Sequence, residues 1–121
     1  MEQSNFEKLS NLTQGDYQAF LYDCDGTLTD NMPMHTKSYV EVAAEQGVVF
    51  DPGIIDELAG WPILQVVEEI NRRYQSSLVP EDFRARKAQI YSERYLDHIQ
   101  PIDYVVEHLR ANAGRVRIGL V

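Results

Sequence analysis

The stretch Phe20–Asp30, FLYDCDGTLTD, governs how the rest of the chain is read. Ala19, Phe20, Leu21 and Tyr22 form a short apolar run that Gly26 breaks soon after, which predicts a buried β-strand. That run ends in two acids one residue apart, Asp23 and Asp25. Open α/β sheets bind ligands outside the carboxyl ends of their strands. In an extended chain, residues i and i+2 share a side. Asp23 and Asp25 are therefore expected to face one pocket, with Cys24 turned away into packing. Gly26 lets the chain turn sharply, and Thr27 offers a hydroxyl and an N–H to an oxyanion.

Two carboxylates this close repel, so they need a cation or a shared proton. Mg²⁺ takes carboxylate oxygens together with a phosphate oxygen and several waters. The pattern points to phosphoryl chemistry, in which one carboxylate attacks phosphorus and the other handles the proton. Two plainer readings compete. A calcium loop would need Asp or Asn at Thr27, Gly at Leu28 and Glu at Met34, and all three positions fail. A solvated acidic turn would suit Asp-x-Asp alone. The apolar strand before it and Gly-Thr-Leu-Thr-Asp after it make the string more specific than that.

The wider composition is compatible with this chemistry. The chain has 121 residues, of which 44% are hydrophobic, enough for a core and too many for wholesale disorder. Its net charge of −8 disfavours nucleic acid or an anionic membrane as main partner. Cys24 is the single cysteine, so no internal disulfide forms, and a reducing, cytoplasmic setting is the expectation. The N-terminal residues lack the basic and apolar regions of a signal peptide. No apolar run approaches the ~18 residues of a membrane span.

Outward from the acidic turn, the periodicity predicts mostly helix. A short helix is expected within Ser4–Asp16, and another over Pro33–Gln46, stopped by Gly47. Asp51-Pro52 reads as a helix start and Gly60 as its end. Ile63, Val66, Val67, Ile70 and Tyr74 make one apolar stripe on a helix from Pro62 to Gln75. Pro80 opens a long helix to about His98, with Phe83, Ile90 and Tyr91 on its face; Pro101 ends it. Ile102, Val105, Val106 and Leu109 mark a further helix closed by Gly114, and Val116–Val121 reads as a second strand. One crossover helix needs far fewer residues than separate the two strands. The expected organisation is a core start over residues 1–31, an inserted helical module over 32–99 and a return to the core over 100–121. Two strands and one helix do not cover a parallel sheet on both faces, so the sequence reads as the first part of something longer.

DCDGTLTD resembles motif I of the haloacid dehalogenase superfamily, in its phosphatase and phosphomutase branch. His35 at a helix start, GVVF, Gly60 with a Pro62-started helix, RARKAQIY and the proline before the last helix are similar to the β-phosphoglucomutase-like subgroup. The fold this implies is α/β, a Rossmann-like core of which only the first strands are present, with an inserted α-helical cap. The resemblance implies a Mg²⁺-dependent enzyme acting on a small phosphorylated metabolite through an aspartyl-phosphate. Asp23 would be the nucleophile and Asp25 the general acid/base. The Asp23 side chain and the Asp25 backbone carbonyl would bind Mg²⁺. Gly26 and Thr27 would help hold the phosphoryl group, and Asp30 would order the loop near the hinge.

In the helical module, the resemblance gives substrate roles to His35 at the hinge, Trp61 in the loop that sets substrate choice, and Lys87. Each has a plainer reading. His35 could be a half-buried helix residue, Trp61 a core aromatic, and Lys87 part of a solvated basic face with Arg84 and Arg86. Phe83, Tyr91 and Tyr95 read as cap core. The mutases of this subgroup carry an arginine just after the position of Gly60, to grip a second phosphate. Here Trp61, Pro62, Ile63 and Leu64 follow, which tilts the expectation from mutase to phosphatase, with Arg72, Arg73 and Arg84 as other arginines that could reach inward.

The family site also needs a Ser or Thr after the second strand, a later lysine and a further acidic pair. None is encoded before Val121. Two classes of function stay open at this point: the N-terminal part of a phosphatase, inactive alone, or a non-catalytic binding module. A Ser-Gly or Thr-Gly encoded directly after Val121 would favour the first, a stop codon the second.

Overall fold

Ser4 starts the first helix, α1 (Asn5–Leu12), in the computed structural model, which describes residues 2–121. Its hydroxyl accepts the Glu7 N–H while the Glu7 carboxylate accepts the Ser4 N–H, satisfying two otherwise orphaned donors. Strand β1 (Ala19–Tyr22) follows, and then the two-residue strand β2 (Thr29–Asp30). The chain divides into two units, Met1–Met32 with Ile99–Val121, and Pro33–His98.

In the first unit, β1 pairs in parallel with β4 (Arg117–Leu120), with Phe20 opposite Ile118 and Tyr22 opposite Leu120. Helix α6 (Asp103–Asn112) runs before β4. Tyr22, Leu28 and Val105 form the buried centre of this unit, with Leu9, Phe20, Ile102, Val106, Leu109 and Ile118 packed around it. β2 pairs antiparallel with β3 (Gln100–Pro101), and the Ile102 N–H donates to the Leu28 carbonyl at 2.8 Å. This two-residue ribbon was not expected from the sequence. Runs so short carry no periodicity, and Pro101 argues against a strand except at an edge.

The second unit is helical. It holds α2 (Met32–Glu45, whose first residue belongs to the other unit), α3 (Gly53–Glu57), α4 (Ile63–Tyr74) and α5 (Pro80–Ile90). The apolar stripe on α4 buries Val66, Val67 and Ile70 against Val42, Ile55, Phe83 and Ile90. Pro52 rather than Asp51 takes the N-cap position of α3, and the Asp51 carboxylate accepts the Gly53 N–H at 2.9 Å from just outside it. Asn71 ties the end of α4 to the following loop. Its side chain donates to the Leu78 carbonyl and accepts from the Leu78 N–H and the Ser76 hydroxyl.

Three expectations need correction. β1 is not wholly buried: Tyr22 is, but Leu21 is 75% exposed, because α1 and α6 cover one face of the strand pair only. Cys24 is exposed rather than packed. β1 ends at Tyr22, and the Cys24 carbonyl turns to accept the N–H groups of Thr27, Leu28 and Thr29, so alternation stops applying there. The long helix after Pro80 reaches His98, but as three pieces. α5 passes into a π-helical turn over Tyr91–Tyr95 and a 3₁₀ turn over Leu96–His98.

Candidate active site

Asp23 is the first residue past the carboxyl end of β1. Its position is clamped by the ladder: the Val121 N–H donates to the Tyr22 carbonyl at 2.8 Å, and the Cys24 N–H to the Val121 carbonyl at 3.2 Å. A tight turn then reverses the chain. Gly26 has φ +76°, where a side chain is strained, and a Cβ there would meet the Met32 Cγ at 3.0 Å. The Gly26 N–H is shared between the Thr29 carbonyl at 2.9 Å and the Asn31 Oδ1 at 3.0 Å. Asn31, only 2% exposed, also donates through Nδ2 to the Asp25 carboxylate at 2.6 Å.

Asn31 thus orients Asp25 and pins the glycine turn at once, and sequence reasoning missed it. An asparagine just before a helix reads as an ordinary N-cap, so the position alone does not announce a link to Asp25. Asp23, Asp25 and Asp30 are all exposed, and Thr27 is half-buried. The Thr27 N–H donates to the Cys24 carbonyl at 3.2 Å, because the turn folds back on itself, so the N–H expected to face an oxyanion is engaged within the turn.

A cleft of about 640 Å³ opens beside Asp23 and Thr27 within the first unit. Its walls are otherwise largely apolar and aromatic, from Leu9 and Leu12 of α1, Phe20 and Tyr22 of β1, and Tyr104 of α6. His108 lies in the same wall, 2% exposed, between the Tyr22 hydroxyl (2.6 Å from Nδ1) and Thr13 Oγ1 (2.8 Å from Nε2). Burial holds its pKa below the ordinary histidine value.

The donors at the turn are oxygens: the carboxylates of Asp23 and Asp25 and the hydroxyl of Thr27. That set suits a hard cation such as Mg²⁺, which is commonly held by one or two protein carboxylates with waters and a phosphate. Among the described residues there is no cluster of three or more His, Cys, Asp or Glu side chains placed to hold a metal.

In the helical unit, Lys87 is buried at 8% exposure, which removes the solvated-face reading. Its ammonium lies 3.0 Å from the His35 Nδ1 and over the rings of Tyr39 and Tyr91, at 4.8 and 5.6 Å from their centroids. The His35 ring stacks on Tyr91 at 4.4 Å. An ammonium only donates, so in this contact the His35 Nδ1 is the acceptor. The flanking arginines behave differently: Arg84 pairs with Glu81 and Arg86 with Glu45. Arg72 and Arg73 are also engaged by carboxylates, from Glu69 and Glu57. The two guanidinium groups hold the Glu69 carboxyl down at about 2. Trp61, after the left-handed Gly60, is 50% exposed. Phe83 is fully buried, as expected of a core residue.

No protein-family model matches the chain. It is 28% identical over 89 residues to fructose-1-phosphate phosphatase YqaB of Escherichia coli, a match covering 74% of this chain and 47% of that protein. A solved structure of a candidate phosphoglycolate phosphatase from Lactobacillus plantarum aligns with a TM-score of 0.71 and 26% identity, over 87% of this chain and 49% of that one. A family IA haloacid dehalogenase hydrolase from Entamoeba histolytica aligns with a TM-score of 0.69 and 20% identity, over 86% and 48%. The chain therefore resembles haloacid dehalogenase phosphatases in sequence and in fold, and it spans about half the length of these relatives.

Proposed function

We propose that the chain is the N-terminal part of a Mg²⁺-dependent phosphatase that hydrolyses a small phosphomonoester through an aspartyl-phosphate. The observation that carries this reading is Asp23 at the end of a parallel strand, beside a cleft and Thr27, before a glycine turn fixed by Asn31. A carboxylate oxygen of Asp23 attacks phosphorus as the bond to the leaving alcohol breaks, and Asp25 gives its carboxyl proton to that oxygen. Water then attacks phosphorus, returns a proton to Asp25 and frees Asp23 and phosphate. Asn31 keeps Asp25 oriented for both transfers. Mg²⁺, when bound by the Asp23 carboxylate and the Asp25 backbone carbonyl, would offset the repulsion between carboxylate and phosphate.

A sugar phosphate is the proposed substrate class, on the likeness to fructose-1-phosphate phosphatase and on the buried ammonium of Lys87. Gly26, Thr27, His35, Trp61 and Lys87 are assigned to substrate binding by the same resemblance. Phosphatase is preferred to mutase because no arginine follows Gly60 and Arg72, Arg73 and Arg84 are each paired with glutamate. The test uses this chain completed with the C-terminal half of a relative, and a panel of sugar phosphates. Release of inorganic phosphate is expected. Conversion of a hexose 1-phosphate to its 6-phosphate without release would establish the mutase instead.

A further inference from the structure

The hydrogen bonds around His108 run in one direction only. Thr13 Oγ1 lies 2.9 Å from the Leu9 carbonyl and 3.3 Å from the Ser10 carbonyl, so its single hydrogen is given to a carbonyl. Towards His108 the Thr13 oxygen must then accept, which places the imidazole proton on Nε2. A neutral ring protonated there has a bare Nδ1, and the Tyr22 O–H donates to it at 2.6 Å. The order is Tyr22 to His108 to Thr13 to Leu9, joining β1, α6 and α1. A second proton on His108 would turn Nδ1 into a donor, and the Tyr22 hydrogen would need another acceptor among apolar neighbours. Phe20 also packs on this ring, at 5.5 Å. The other titratable groups on the cleft are Tyr17, Tyr104 and Asp23.

We propose that His108 is a positioning residue: neutral, with its proton on Nε2, it fixes the Tyr22 hydroxyl and with it the strand end that carries Asp23. It rests on the phosphatase reading only for the task given to Asp23, since the relay itself is a property of this unit. Protonation of His108 frees Tyr22 and alters the setting of Asp23.

Nuclear magnetic resonance on the chain completed with the C-terminal half of a relative tests this without reference to turnover, so a failed phosphatase assay leaves the result unaffected. Near neutral pH, the His108 ring should show a protonated Nε2 and a bare Nδ1. On acidification it should titrate below the ordinary midpoint of about 6.5, and the backbone amides of Asp23 and Cys24 should shift with the same midpoint. In Tyr22→Phe, His108 should still titrate but those amides should no longer follow it. A proton on Nδ1 in the wild-type chain would overturn the proposal whether or not the variant folds. So would Asp23 and Cys24 amides that ignore His108, or that follow it equally in Tyr22→Phe.

Discussion

At the scale of residues, the acidic turn was largely legible before the structure. Asp23 to Thr27 is one short run and the demand for a left-handed glycine is local, so the turn could be read; that Cys24 is exposed and that Asp25 does not line the cleft beside Asp23 could not. Gly26→Ala should cost about 1–2 kcal/mol for the left-handed backbone, with some crowding against Met32 in addition. A denaturant titration that finds no loss would mean the turn relaxes freely. Asn31 and His108 were not legible, because their partners arise from folding. His108 meets Tyr22 and Thr13 across 86 and 95 residues of sequence, which no window of local pattern can join.

The sign of the pH effect follows from this burial. His108 titrates below its unfolded value, so as pH falls below about 6.5 the unfolded chain takes up a proton that the folded chain resists. Its contribution is complete above that value and is lost progressively below it. Denaturation at about pH 7.5 and about pH 5.5 should show lower stability in acid, and His108→Gln should flatten the difference. Glu69, held at about 2, does not titrate in that window. Lys87→Met tests the substrate role of the buried ammonium. It keeps an apolar stem but loses the ammonium that donates to His35 and lies over Tyr39 and Tyr91. Stability should therefore fall by about 1–3 kcal/mol, and KM is compared on the folded variant. Loss of a charged hydrogen bond to substrate, worth about 1.5–3 kcal/mol, should raise KM of the completed enzyme about 10- to 100-fold.

At the scale of elements, prolines located the starts of α2 to α6 to within a few residues and glycines the ends of α2, α3 and α6, whereas α5 ends at Ile90, well short of the His98 expected. The 3.6-residue stripe on α4 named Val66, Val67 and Ile70 correctly as its buried face, while Tyr74 at the end of the stripe is 39% exposed. The π-helical turn at Tyr91–Tyr95 escaped because the sequence there keeps ordinary helical composition. The Asn71 clasp escaped because an asparagine late in a helix reads as a poor helix former rather than as a loop anchor. Asn71→Ala leaves the Leu78 N–H and C=O without their partner and should destabilise the helical unit by about 2–3 kcal/mol. Phe83→Ala, at a fully buried site, should cost about 3–5 kcal/mol. Both are readable by denaturant titration of residues 33–98. Equal and negligible effects would show that this core does not hold the unit together.

At the scale of the whole molecule, the first unit is short of partners for its sheet. Leu21 at 75% and Leu120 at 66% exposure are large apolar side chains on a parallel strand pair. Parallel sheets are normally covered on both faces, and open edges invite pairing with other chains. The 121-residue chain alone should self-associate and lack phosphatase activity, while residues 33–98 fold as a monomer. Sedimentation and a generic aryl phosphate assay with Mg²⁺ check both points. A monomeric chain turning over faster than ~1 s⁻¹ would mean that its own residues complete the site.

The role of Asp23 can be read on the atom concerned. An aspartyl-phosphate is an acyl phosphate, and borohydride reduces it to homoserine, marking the residue that carried phosphorus. The chain completed with the C-terminal half of a relative, with Asp25→Asn to slow breakdown of the intermediate, should be reduced during incubation with a sugar phosphate and Mg²⁺. Homoserine at position 23, absent when Asp23→Asn is added, is the expected result. Homoserine at another position, or continued phosphate release by Asp23→Asn at more than a few per cent of the parent rate, would contradict the assignment of Asp23 as the nucleophile.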